Sequence, residues 1–209
     1  FCFAHSQIYN VGQTMTNSHQ NISHSVCYGD TNLDDLVNVQ DIVILINFIL
    51  GFNEPNAQQL LNGDMDENGF LNILDVIRVV NQILGTAISY ENIDNGNGVI
   101  GYEYIDDDLV LTISSENDFS GIQIVINSHY NYDVDLKDNS HITIRQNYID
   151  GEKIILAYSM FNESFDGHKA EFTISNAKKL NIDNIDVIVS NTIGNEIQMT
   201  YNQIQSDFN

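Results

Sequence analysis

Two short stretches of carboxylate and amide side chains hold the most suggestive chemistry in the chain. Asp30, Asn32, Asp34, Asn38 and Asp41 make up the first, and Asp64, Asp66, Asn68, Asn72 and Asp75 the second. Each set falls on positions 1, 3, 5, 9 and 12 of a loop. Side-chain oxygens at that spacing, joined by a main-chain carbonyl at position 7 (Leu36 and Phe70), supply the several hard ligands at about 2.3–2.6 Å that a calcium ion takes. The expected cofactor is therefore Ca2+, two ions. Position 6 must turn sharply. Gly69 suits it in the second loop, whereas Asp35 stands there in the first and carries a steric cost in a left-handed conformation. Position 12 is Asp in both loops, where Glu is usual.

What positions these oxygens is a duplicated unit. Gly29 to Gly51 reads GDTNLDDLVNVQDIVILINFILG and Gly63 to Gly85 reads GDMDENGFLNILDVIRVVNQILG. A constant offset of 34 residues carries Asp30 onto Asp64, Asn38 onto Asn72, Asp41 onto Asp75, Asn47 onto Asn81 and Gly51 onto Gly85. A register held over a whole segment marks one structural unit written twice. Each loop leads into an apolar helical run that closes on a glycine, the residue that tolerates the left-handed conformation past a helix end. No helical period precedes Asp30, because residues 7–28 are polar and rich in Ser and Asn.

Two loop-then-helix units without an entering helix resemble a type I dockerin module, over about Tyr28 to Gly85. The family pattern implies that loop position 8 and helix positions 13, 16 and 20 face the module's own core. Here these are Val37, Ile42, Leu45 and Ile49, then Leu71, Val76, Val79 and Ile83. The opposite face is apolar as well: Val39, Val43 and Ile46 in the first unit, and Ile73, Leu74, Ile77 and Val80 in the second. A helix apolar nearly all round is expected to be buried on both sides, and such a patch exposed on a small module marks an interaction site. In the family the partner is a cohesin, and the positions that read it are implied here as Val39, Gln40, Val43, Ile46 and Asn47, with Ile73, Leu74, Ile77, Val80 and Asn81. A β-sandwich of the same chain or of a neighbour is the expected cover.

From Thr86 onward the period changes from helical to two-residue alternation broken by Asn, Asp and Gly, in AISYENI, VIGYEYI, DLVLTIS, SGIQIVIN, HITIRQNYI, KIILAYSMF, KAEFTIS, IDVIVSN and EIQMTYN. Many short strands between turn signals read as an antiparallel β-sandwich. The order of DLVLTISSENDFSGIQIVINSHY, KIILAYSMFNESFDGHKAEFTIS and IDVIVSNTIGNEI resembles a cohesin, from about Ile88 to Gln203. That likeness implies a jelly-roll sandwich that binds a dockerin through one sheet face and carries no catalytic residues. The expected architecture is α+β and multidomain: a signal-peptide remnant at 1–6, an extended leader at 7–27, a small all-α dockerin-like domain of EF-hand-type loop–helix repeats at 28–86, and a cohesin-like β-sandwich at 87–205.

Composition narrows the function classes. The 209 residues are 43% hydrophobic, enough for real cores, and 29 acidic against 7 basic residues leave a net charge of −22. That charge argues against nucleic acid or an anionic membrane as partner, and no later apolar run is long enough to span a bilayer. The opening FCFAHSQ resembles the tail of a signal peptide with a mature start at Gln7, which predicts a secreted or cell-surface protein in which Cys27 stands alone, unable to form an internal disulfide. His19, His24 and Cys27 make a weak soft-metal set. Asn21-Ile22-Ser23 and Asn162-Glu163-Ser164 match the glycan acceptor pattern. Phosphate-loop, nucleophile-elbow and HExxH patterns are absent from the sequence.

The reading is a secreted, calcium-binding, non-catalytic adhesion or scaffolding protein. The alternatives are an extracellular carbohydrate-binding protein tethered by its dockerin to a complex that degrades polysaccharide, or the N-terminal part of a larger secreted glycan-active enzyme.

Overall fold

Asn38 and Asn72 end their loops and begin two helices, α1 (Val39–Ile49) and α3 (Ile73–Leu84). Each Asn accepts a main-chain N–H of the first turn, from Gln40 and Leu74 respectively. The Asp three residues on returns the favour by accepting the Asn's own N–H, so both helices start in a capping box. Gly85 closes α3 in the left-handed conformation at φ 69°. Between the units, Asn56 caps a short helix α2 (Ala57–Gly63). The computed structural model describes residues 26–86, 95–137 and 140–204. The leader, the AISYENI strand and the first glycan acceptor lie outside them, except Val26 and Cys27, which are buried.

Nine strands follow among the described residues: β1 (Asn97–Ile105), β2 (Asp108–Ser115), β3 (Phe119–Asn127), β4 (Val134–Lys137), β5 (Thr143–Ile149), β6 (Glu152–Tyr158), β7 (Lys169–Ile174), β8 (Ile185–Asn191) and β9 (Gln198–Gln203). They form a five-stranded sheet in the order β4-β7-β2-β1-β9 and a four-stranded sheet in the order β5-β6-β3-β8. Every neighbouring pair is antiparallel except β1 and β9, which run parallel from Asn97 beside Gln198 to Tyr102 beside Gln203. The expected antiparallel sandwich is therefore mixed at that edge. Between the sheets lies a core that includes Ile100, Leu111, Ile122, Ile124, Ile155 and Phe172, with Phe119 stacked on Phe165 at 4.9 Å.

β6 shows how the second core arises. Ile155 and Ala157 point between the sheets, while Leu156 and Tyr158 point outward and are buried all the same. They belong to a cluster with Ile42, Leu45 and Ile49 of α1 and Ile73, Val76, Ile77 and Val79 of α3. The core of the helical module is continuous with the outer face of the four-stranded sheet. α3 lies across β3, β8 and β6.

Candidate calcium loops and docking face

The two loops share one framework of hydrogen bonds. In the first, Asp30 accepts the N–H groups of Asp34 and Asp35, and Leu36 donates to Asp34. In the second, Asp64 accepts from Asn68 and Gly69, and Phe70 donates to Asn68. The position-12 carboxylate bridges loop and helix: Asp41 accepts from Thr31 and Asn38, and Asp75 from Met65 and Asn72. Position 6 is left-handed in both, at φ 65° for Asp35 and 90° for Gly69, so the first loop adopts the required turn without glycine.

Main-chain N–H groups thus aim the acidic oxygens inward, and the carboxylates crowd. One oxygen each of Asp64, Asp66 and Asp75 lies within 4.8 Å of the other two. Burial pushes the Asp75 carboxyl up to about 7 and raises Asp41 and Asp66 as well, with neighbouring aspartates adding to each rise. Converging hard oxygens of like charge, held by a rigid loop, fit a divalent cation. Asp64, Asp66, Asn68, Asn72 and Asp75 with the Phe70 carbonyl are the groups that would hold it in the second loop, and Asp30, Asn32, Asp34, Asn38 and Asp41 with the Leu36 carbonyl in the first.

The expected partner face divides by repeat. In the second unit Ile73, Leu74, Ile77, Val80 and Asn81 are all buried. In the first, Ile46 is buried and Asn47 half-buried, but Gln40 is exposed and Val39 and Val43 are 52% and 51% exposed. The sequence leaves open whether the apolar face is covered within the chain. For the second repeat it is.

Polar groups fix the contact. Asn81 donates to the Thr192 carbonyl at 2.9 Å, and Asn162 donates both to that carbonyl at 2.7 Å and to Asn81 Oδ1 at 2.8 Å. The Ser120 hydroxyl in turn holds Asn162 Oδ1, at the point where the β3–β8 register shifts between Phe119 and Gly121. Two unpaired helix-end groups are met by side chains of the sheet: Gln123 accepts the Ile73 N–H of α3, and Asn147 donates to the Leu50 carbonyl closing α1. Arg78 reaches Gly194, Asn195 and Met65. Sequence reasoning misses Arg78, Gln123, Asn147 and Asn162 as members of this face. The signal available was the one cationic side chain in two helices whose other charges are the loop-closing Asp41 and Asp75.

Cys27 is disulfide-bonded; the expectation that it stands alone concerned a mature chain starting at Gln7, without Cys2. The chain's other cysteine is Cys2, outside the described residues. His19 and His24 also lie outside them, and a bonded thiol offers no soft-metal ligand. No helix among the described residues is long and apolar enough to cross a membrane.

Among curated proteins, none matches this chain. Among solved structures, a non-cellulosomal cohesin from the hyperthermophilic archaeon Archaeoglobus fulgidus is similar, at 8% identity and a TM-score of 0.34, over 53% of this chain and 92% of that one. Residues 28–84, the two loops with their helices, match the family model of the dockerin type I domain.

Proposed function

We propose that the chain is a secreted, non-catalytic adhesion or scaffolding protein that works through calcium-dependent pairing of a dockerin module with a cohesin-type β-sandwich, and that within one chain this pairing is closed on itself. Two calcium ions would hold the loops; the loops set the starts of α1 and α3, and α3 presents the face that pairs. The observation that carries the reading is the seating of Ile73, Leu74, Ile77, Val80 and Asn81 on the outer face of β3, β6 and β8. Cations absent from the unfolded chain stabilise the folded module by mass action.

Sedimentation velocity of the chain at several concentrations, in millimolar calcium and in EGTA, tests this. A compact monomer in calcium that expands in EGTA supports closure within the chain, and calcium-dependent growth with concentration supports the same pairing between chains. Indifference of shape and stability to calcium would sink the reading.

A second reading, polysaccharide binding, draws on a shallow cleft of about 600 Å³ lined by Asn127, His129, Tyr130, Tyr148, Asp150 and Asn184. Tyr130 is 72% exposed there, as a stacking platform for sugar would be. Retardation in polysaccharide-containing native gels, lost in Tyr130→Ala, would favour it.

A further inference from the structure

The two repeats share one fold, yet α3 of the second lies across the sheet while α1 of the first meets it mainly at its C-terminal end, and the largest chemical difference between the helices is one residue. At the position of Arg78 in α3, the first repeat has Ile44. The Arg78 guanidinium reaches three acceptors at once. Nε donates to the Gly194 carbonyl at 2.9 Å and Nη2 to Asn195 Oδ1 at 3.1 Å, both in the turn between β8 and β9, while Nη1 donates to the Met65 carbonyl at 3.0 Å, at position 2 of the second loop. The turn is shaped for this approach. Gly194 sits at φ +84°, and a Cβ there would collide with Arg78 Cγ and come within 3.1 Å of the Leu74 carbonyl.

A guanidinium is a planar fork whose donors keep fixed relative positions. Held at Gly194 and Asn195, it demands that the Met65 carbonyl stay where it is. That carbonyl lies between Asp64 and Asp66, and its own residue's N–H is bonded to Asp75. All three carboxylates crowd into the converging group of the second loop. Repulsion among them, unless a cation offsets it, would spread the loop, move the carbonyl and cost Arg78 either the loop or the turn. The first loop has no such tie. Its main-chain carbonyls face inward, Asp30 to Asn62 and Thr31 to Gln59, both on α2.

We propose that Arg78 decides which repeat docks and makes docking conditional on calcium in the second loop, not the first. This rests on the calcium-dependent pairing proposed above and names the side chain that transmits it. Because coupling between two equilibria is reciprocal, docking also tightens calcium in the second loop.

The test uses the full chain with calcium as the probe. Sedimentation coefficient and calorimetric calcium affinity are measured for wild type, Arg78→Gln, and the matched loop variants Asn32→Ala and Asp66→Ala, with far-ultraviolet circular dichroism to follow the helices. Asp66→Ala is expected to open at calcium levels where Asn32→Ala stays compact. Arg78→Gln is expected to keep its helices, lose compactness, and bind calcium in the second loop on the order of tenfold more weakly. If Asp66→Ala loses its helices, Arg78→Gln decides alone, since it leaves every loop oxygen in place. Wild-type compactness and affinity in Arg78→Gln, or equal opening of two folded loop variants, would overturn the coupling and leave the pairing standing. A wild-type chain extended in saturating calcium would overturn both.

Discussion

Ile77 lies against the bare backbone of Gly121: a Cβ built on that glycine would stand 2.9 Å from Ile77 Cγ1 and 2.8 Å from Ile73 Cγ1. Gly121 faces α3 from the middle of the docking sheet, between Tyr158 on β6 and Ser190 on β8. The helix comes this close only because the strand has no side chain there. Gly121→Val is expected to push α3 off the sheet, weakening the contact by about 1–3 kcal/mol, the usual range for overpacking. The sandwich core on the other side of β3 should be spared. An increase in radius of gyration by X-ray scattering, with unchanged sheet content, is the expected result.

Asn81 and Asn47 occupy the same repeat position in different surroundings. Asn81 is fully buried among Asn162 and the Thr192 carbonyl, so Asn81→Ala strands buried polar groups and should cost about 1–3 kcal/mol. Asn47 is half-buried, and Asn47→Ala should stay within about 0.5 kcal/mol. Urea denaturation of the two variants in calcium checks the contrast.

Val43 and Ile77 make a second matched pair, one half exposed and one wholly buried. Ile77→Asp places a charge on the sheet without a partner and is expected to abolish docking. Val43→Asp should sediment as wild type. Equal behaviour of the two would mean that α3 holds no privileged contact.

Asp75 gives the pH dependence its sign. Burial raises its carboxyl to about 7 in the folded, calcium-free loop, against 3.8 for an ordinary aspartate. Between those values the folded state binds more protons than the unfolded one, so calcium-free stability falls as pH rises from about 4 through about 7. Calcium requires the ionised form and reverses the trend. Thermal melts at pH 5 and pH 8 should cross over between EGTA and calcium. Calcium uptake near pH 7 should release about half a proton from Asp75, rising toward one near pH 6 and fading toward pH 8.5, as read by calorimetry in buffers of different ionisation enthalpy.

The repeat, its loops and most of the strands were legible because each follows from local spacing: twelve-residue loop chemistry, helical period, two-residue alternation. β4 was missed, being only Val134–Lys137 in a polar stretch. The parallel pairing of β1 with β9 joins residues far apart in the chain, about which alternation says nothing. The choice of docking repeat was hidden for another reason. Both helices are apolar on two faces, so hydrophobicity alone treats Val43 and Ile77 as equals; Arg78 against Ile44 separates them, and its acceptors at Gly194 and Asn195 are brought near only by the fold. One sequence clue went unread. The unbroken run Ile154 to Tyr158 marks a strand buried on both faces, and β6 is the strand with the sandwich core on one side and the helices on the other.

The order of the elements along the chain sets a timetable for synthesis. The helical module is complete once Gly85 has been made, but the sheet that covers Ile73, Ile77 and Val80 lacks its last strand until Asn191. At roughly 5–20 residues per second, the nascent chain carries an uncovered apolar helix face for on the order of 5–20 s. For those seconds the face that later closes the molecule is open to whatever apolar surface lies near it.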